Sequence, residues 1–334
     1  MKKSVVSIVL ALVLILALFQ AVALADDSYN WEEPHHADVM IIACHSDDDQ
    51  LYLGAVIPIY LAQGKSVVVV FMTPCSTSRK KEAEAALWAV GVRQKPVFGP
   101  FADHWFEKLA DAKKSWPKEK VEAYLVEQVR IYTSSIIVSQ DVKGEYGHKA
   151  HIWMVEEVQK IFNLAGDPKA YPESAEKYGV WNPLKLYLHL FKENKITLDV
   201  KTPLAMYDGK TAFEVAKMGY SYHRSQVKIN HHRVGEKPID QFGLAQSKVG
   251  FSTLTGDMFE SVDLYNLLVN NPKSQAVAKT SEFKRYTEQY GFSYLYYLLR
   301  FINERSIETL DFKDYIEACG MPFKWFPNDI PQYY

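Results

Sequence analysis

The stretch Val39-Met40-Ile41-Ile42-Ala43-Cys44-His45-Ser46-Asp47-Asp48-Asp49 decides how this chain is read. Its first six residues are an unbroken apolar run, the pattern of a strand buried on both faces. Three consecutive Asp follow where a helix begins, and acidic residues are favoured there by the helix dipole. That helix is expected over Asp49 to Gln63, stopped by Gly64. Working outward, Val67 to Met72 reads as a second buried strand and Lys80 to Val90 as a second helix, stopped by Gly91. Lys95 to Phe98 is a short third strand, followed by a Glu- and Lys-rich helix over Lys118 to Tyr132. Ser135 to Ser139 is the fourth strand and Lys149 to Leu164 the helix after it. Strands alternating with helices imply parallel βαβ units with right-handed crossovers. The fold class expected is α/β, a doubly wound Rossmann-like parallel sheet.

Beyond that alternation, Leu184 to Phe191 reads as a further strand and Thr211 to His223 as a helix entered through the Tyr207-Asp208-Gly209 turn. From about Ser261 the chain turns helical and aromatic. Residues 26–260 are therefore read as one domain, and 261–334 as a mostly helical, aromatic C-terminal extension. At the other end, Lys2-Lys3, an apolar run from Ile8 to Phe19, and Ala23-Leu24-Ala25 before Asp26 describe a secretory signal peptide over residues 1–25. An uncleaved anchor is the alternative, but the run is short for a span of about 20 residues. The expectation is a secreted or extracytoplasmic protein with no membrane span left after cleavage.

Composition narrows the classes. The 334 residues are 48% hydrophobic and 23% charged, which excludes a disordered or collagen-like chain. Lys and Arg number 38 against 40 Asp and Glu; residues 1–25 hold two Lys and no acid, so the remainder stands at −4 and carries no basic signal for nucleic acid. Three Cys do not make a disulfide framework. Cys44 and Cys75 each end a strand, so a bridge between them is one reading; two buried free thiols is the reading adopted.

Two segments carry the chemistry, each just after a strand. His45 and Asp48 stand three apart at a helix start, as do His148 and His151 in Tyr146-Gly147-His148-Lys149-Ala150-His151. That spacing puts each pair on one helical face. With strand order 3-2-1-4, strands one and four flank the topological switch point, where ligands bind beyond the carboxyl ends. Two imidazoles and a carboxylate with open positions suit a catalytic Zn²⁺. A non-haem Fe²⁺ accepts the same set. No G-x-G-x-x-G follows the first strand, which counts against a dinucleotide. His35-His36 and His231-His232 read as solvated loop residues, and His104 stands close enough to Asp103 to reach the cleft mouth.

These motifs resemble those of the PIG-L/LmbE-like family of metal-dependent N-acetylglucosamine deacetylases, which carries A-H-P-D-D-E after its first strand and Y-G-H-P-D-H after its fourth. Arg79-x-x-Glu82 with Gly91-Val92 is similar to the family's R-x-x-E helix ending in L-G-V, and His223-Arg224-Ser225-Gln226 to its H-x-S-Q. Asp103 sits where the family often has an Asp. The resemblance runs from about residue 38 to 230. It implies that His45, Asp48 and His151 ligate the metal and that Asp47 is the general base. It further implies that His148 stabilises or protonates the tetrahedral intermediate and that Tyr146 helps hold the oxyanion. Arg79 and Asp103 would bind substrate hydroxyls, and His223 would support the site without ligating. The implied substrate is an N-acetylated sugar or glycoconjugate, cleaved to release acetate; alternatives are another sugar-linked amide, or an exported glycan-binding protein with a structural metal. Ser46, Asp49 and Ala150 depart from the family's Pro, Glu and Asp. The change at Ala150 removes a carboxylate that would tune His148.

Overall fold

Every residue of β1 (Val39–Ala43) and β2 (Val67–Phe71) is buried, as expected of strands sandwiched between helices. The computed structural model describes residues 29–227, 233–251 and 253–262, and the unit beginning at Glu32 holds every element named below. After β1 come α1 (Asp48–Leu51) and α2 (Val56–Ala62); after β2, α3 (Thr77–Ala89) and β3 (Val97–Phe98). Next are α4 (Leu109–Ser115), α5 (Lys118–Tyr132), β4 (Ile136–Ser139), α6 (Lys149–Leu164) and α7 (Pro172–Tyr178). The chain continues through β5 (Lys185–His189), β6 (Lys195–Thr197), a small hairpin of β7 (Pro203–Leu204) and β8 (Lys210–Thr211), α8 (Ala212–Tyr220), α9 (Arg224–Val227) and β9 (Gln241–Ser247).

The main sheet has the order β3-β2-β1-β4-β5-β9-β6. The first five strands are parallel, so the 3-2-1-4 order and the switch point between β1 and β4 hold. The sheet is not parallel throughout: β9 runs antiparallel to β5, and β6 antiparallel to β9. Neither β6 nor β9 carries a sequence signal, because β9 is Gln-Phe-Gly-Leu-Ala-Gln-Ser and β6 shows only three residues. Alternate residues of β1 and β2, Met40, Ile42, Val68 and Val70, join a core with Val121, Leu125 and Val129 of α5 and Trp153 and Met154 of α6. Their neighbours Val39, Ile41, Val67 and Val69 are buried on the opposite face, which makes the domain doubly wound.

Two expectations are corrected. The single helix over Asp49 to Gln63 is two pieces, interrupted at Tyr52 to Ala55. Gly54 lies within the break, where α8 packs too closely for any side chain. A Cβ on Gly54 would lie 2.5 Å from the Gln50 carbonyl oxygen and 2.7 Å from Ala216 Cβ. Apolar periodicity could not show this, since residues on both sides of the break are buried. Second, Cys44 and Cys75 are both free, but only Cys44 is buried; Cys75 is half-buried in a left-handed turn. Residues 1–25, His231, His232, Cys319 and all but the first two residues of 261–334 lie outside the described residues. Among the described residues no helix is long and apolar enough to cross a membrane.

Gly54→Ala is expected to lower the unfolding free energy by about 1–3 kcal/mol through overpacking. Chemical denaturation would show a reduced midpoint at unchanged slope; an unchanged midpoint would show that α1 and α8 can separate freely.

Candidate active site

The carboxyl ends of β1 and β4 are stitched together by side chains. Ser139 Oγ donates to the Ile42 carbonyl at 2.8 Å, and the Cys44 backbone N–H donates to Gln140 Oε1 at 2.8 Å. The amide group of the same Gln140 sits 2.9 Å from His151 Nδ1 on α6. One carboxamide thus fixes the loop after β1 relative to the helix after β4. At the start of α1, Asp48 Oδ2 turns back to accept the His45 backbone N–H at 2.7 Å. This local bond sets the His45–Asp48 pair that the three-residue spacing predicts.

Three buried donor atoms then meet. His45 Nδ1 lies 3.2 Å from Asp48 Oδ2 and 3.0 Å from His151 Nε2, and His151 Nε2 lies 3.3 Å from Asp48 Oδ2. Donors around a tetrahedral Zn²⁺ with bonds of about 2.0–2.1 Å stand about 3.3 Å apart, so the residues present fit a divalent cation. A second trio, Cys44, His45 and His151, has ligand atoms within 4.8 Å of one another. Cys44 Sγ faces the other nitrogen of His45, Nε2, at 3.8 Å. Burial pushes its thiol up to about 11, and its sulfur faces Nε2 of His45 rather than the Nδ1 that meets Asp48 and His151. The Asp48 trio is both tighter and better charged.

The electrostatics favour positive charge at this point. Burial opposes a charge on His45, yet its partners Cys44 and Asp48 raise it well above the ordinary imidazole range. Burial would likewise raise Asp48, but His151 and His45 hold it below the usual carboxylate range. Burial drives His151 down to about 3, leaving a neutral imidazole. The Gln140 amide N–H facing Nδ1 puts the ring proton on Nε2, towards Asp48, so Nε2 gains a lone pair for a cation once Gln140 turns its oxygen to Nδ1.

Arg79 and Glu82 stand three apart on α3 and reach in different directions. Arg79 Nη2 donates to Asp47 Oδ1 at 3.1 Å and Nη1 to Asp103 Oδ2 at 2.6 Å. Burial and the Asp48 charge push Asp47 up to about 6 against the pull of Arg79. Asp103 Oδ1 also lies 3.5 Å from His45 Nε2, so this carboxylate buttresses a donor imidazole as well as facing the cleft. Glu82 accepts the Ser225 backbone N–H at 3.0 Å and its hydroxyl at 2.6 Å, which fastens α9 to α3 and brings Gln226 to the cleft. The R-x-x-E and H-x-S-Q resemblances thereby meet in one clasp. His223 is fully buried, and neither ring nitrogen has a hydrogen-bond partner among the described residues. Burial and the neighbouring Arg79 hold it down at about 3.

The loop before α6 delivers Tyr146 and His148. It closes through Gly144, whose added Cβ would fall within 2.4 Å of the His148 carbonyl oxygen. His148 caps α6, and its Nδ1 accepts the Ala150 N–H at 3.2 Å, which places the proton of the neutral ring on Nε2. Burial and the charge of His45 lower His148 to about 4. The side chain of Ala150 is buried in the apolar core, so the contact that orients His148 comes from backbone and survives the missing carboxylate.

Sequence reasoning missed Glu145, His189 and Trp105. Buried Glu145 lies 2.9 Å from His189 Nδ1 on β5, and His189 Nε2 lies 2.6 Å from the Pro238 carbonyl, tying the Tyr146 loop to the sheet. Only the fold brings these residues together, so neither has a local signal. The resulting cleft encloses about 360 Å³ and is lined by seven of the eight predicted residues; the eighth, His151, is fully buried against His45. His104 does reach its rim. A larger groove of about 1030 Å³ beside α5 and α7 contains none of them.

Comparison with known proteins bears on this site. The family model described as GlcNAc-PI de-N-acetylase, PIG-L, matches residues 40–162. A 1D-myo-inositol 2-acetamido-2-deoxy-alpha-D-glucopyranoside deacetylase from Catenulispora acidiphila is 24% identical over 178 residues, 45% of this chain and 54% of its own. The chain thus spans about half the length of that relative. Among solved structures, a conserved protein from Thermus thermophilus is similar at 17% identity and TM-score 0.43, over 58% of this chain and 82% of its own. An N,N'-diacetylchitobiose deacetylase from Pyrococcus horikoshii matches at 17% identity and TM-score 0.42, over 57% and 71%.

The two donor trios make opposite demands. Asp48→Asn is expected to weaken Zn²⁺ binding at least about tenfold, whereas Cys44→Ser leaves it within about twofold. Titration calorimetry with Zn²⁺ alone decides between them, and the reverse ranking would transfer the site to Cys44.

Proposed function

We propose that this chain, whose residues 40–162 match the PIG-L family model, is a metal-dependent hydrolase that removes an N-acetyl group from a GlcNAc-containing glycan or glycoconjugate and releases acetate. The observation that carries the reading is the Asp47 carboxylate, held by Arg79 directly beside the His45–Asp48–His151 donor set. The Catenulispora relative, a deacetylase of a 2-acetamido-2-deoxy-glucopyranoside, supports the substrate class.

His45, Asp48 and His151 would hold Zn²⁺, or Fe²⁺ as the alternative, which would supply Lewis acidity towards an amide carbonyl and a water. Asp47, pushed up to about 6, is matched to accept a proton near neutral pH. It takes the proton of the water that attacks the amide carbon, and delivers it to the amine nitrogen as the C–N bond breaks. The neutral His148, its Nδ1 engaged by the backbone, offers Nε2–H to the oxygen on which charge develops. With a proton affinity set as low as about 4, it acts as a donor of a hydrogen bond rather than as the proton carrier. Tyr146 lines the same cleft and is placed to assist at that oxygen; Arg79 and Asp103 offer charge to sugar hydroxyls. The pattern of residues 1–25 supports export, and with it an extracytoplasmic glycan as substrate.

Acetate release from GlcNAc conjugates is expected to fall about 10²–10⁴-fold in Asp47→Asn. Equal release by wild type and variant would refute the mechanism. Because the base must be ionised, kcat/KM rises with pH through an acid limb; a bound dication pulls Asp47 back down from its raised value, so that limb lies no higher than about pH 6. Chelation abolishes turnover and added Zn²⁺ restores it. Export predicts a mature protein whose first residue, by N-terminal sequencing, is Asp26.

A further inference from the structure

We infer that Trp105 is the sugar platform of the cleft, receiving the apolar face of the pyranose ring that carries the scissile amide. The inference rests on the hydrolase reading and names what selects its substrate. Trp105 is 60% exposed, more than any other large apolar side chain among the described residues, and it stands on the cleft rim. Its position is nonetheless held. The indole N–H donates to Glu107 Oε1 at 2.9 Å, and the next residue, Phe106, is buried against Trp116 with ring centres 6.4 Å apart.

The ring is also oriented. Its plane lies within 7° of the Tyr146 ring, centroids 6.1 Å apart, and it makes a T-shaped contact with His148 at 4.7 Å and 89°. Two near-parallel aromatic rings therefore line the cleft together with Asp103 and Arg79, which form its polar part. A pyranose has this amphipathy itself: C–H groups on its faces and hydroxyls around its edge. An aromatic face beside charged and hydrogen-bonding groups, in a cleft of about 360 Å³, matches that amphipathy.

The distance assigns the ring. The His148 ring centre lies 4.7 Å from that of Trp105 and 4.9 Å from that of His45. Trp105 is thus a single ring removed from the donor set. An acetamido carbonyl is only two bonds from its own sugar ring, so the sugar bearing the amide, rather than the next one along a glycan, falls on the indole. The Glu107 bond and the contacts with Tyr146 and His148 restrain the indole before any ligand arrives, which lowers the entropic cost of positioning the ring.

The test compares wild type, Trp105→Ala and Trp105→Phe on a GlcNAc glycoside and on an acyclic N-acetylated amine. Trp105→Ala is expected to raise KM for the glycoside about tenfold, with the loss carried by KM rather than kcat, and Trp105→Phe to recover most of it. The acyclic amide should lose far less. A loss equal on both substrates, or one confined to kcat, would overturn the platform. Calorimetric binding of the glycoside to Zn²⁺-loaded Asp47→Asn, with and without Trp105→Ala, separates the two readings. Weakened binding on removing Trp105, with no acetate released by wild type from any amide, sinks the hydrolase and keeps the platform. Acetate release with binding indifferent to Trp105 sinks the platform alone.

Discussion

A single buried carboxylate oxygen, Asp48 Oδ2, organises the rest of the structure. It accepts the His45 backbone N–H and lies within 3.3 Å of two imidazole nitrogens. An anion so deeply buried is tolerated only where positive charge and donors surround it. Those partners come from two distant parts of the chain, the loop after β1 and the helix after β4, so they converge only if β1 and β4 are neighbours. The Gln140 and Ser139 bonds between the strand ends hold that adjacency. The sheet order is thus a condition of the electrostatics, and the electrostatics explain why the polar residues after β1 are buried at all.

Four carboxylates crowd this end of the sheet, and their surroundings divide them. Asp48 is kept ionised by His151 and His45. Asp47 is raised to about 6 and tethered by Arg79. Asp49, hydrogen-bonded by the neutral Gln50 amide, is pushed up to about 7 by burial and by its two acidic neighbours. Asp103 stays at the cleft mouth, shared between Arg79 and the far side of His45. One short acidic run therefore contains a fixed anion and two carboxylates poised near neutrality, only one of them tethered by a cation. A run of three Asp cannot be read as three equivalent charges.

How much of this was legible in the sequence depends on whether the signal was local. The buried runs of β1, β2 and β4 and the i,i+3 pairs His45–Asp48 and His148–His151 are local, and they were readable down to the switch point. The break around Gly54 was not, because the close packing there involves Ala216 on a distant helix. Glu145 and His189 were invisible for the same reason: each is an ordinary polar residue until β5 lies beside the loop. Asp103 was placed in the cleft by resemblance, but its contact with His45 Nε2 needed three dimensions. Trp105 looked like one aromatic among many, and only its exposure beside His148 sets it apart.

The departure at Ala150 shows why a motif should be read through its geometry. A carboxylate between the two His would be expected to set the protonation of His148. Here the backbone N–H of residue 150 already occupies His148 Nδ1, and the Ala150 methyl points into the core. The tautomer is fixed by the helix cap, which any residue type at 150 with a backbone N–H supplies equally. What the side chain would have changed is the charge on His148, and with burial and His45 both acting against protonation the ring stays neutral. In the proposed reaction a neutral His148 serves as a hydrogen-bond donor, and the proton then has to travel by Asp47 alone. The missing acid therefore shifts the division of labour towards Asp47 rather than removing a function, and the same helix cap that begins α6 aims the donor into the cleft.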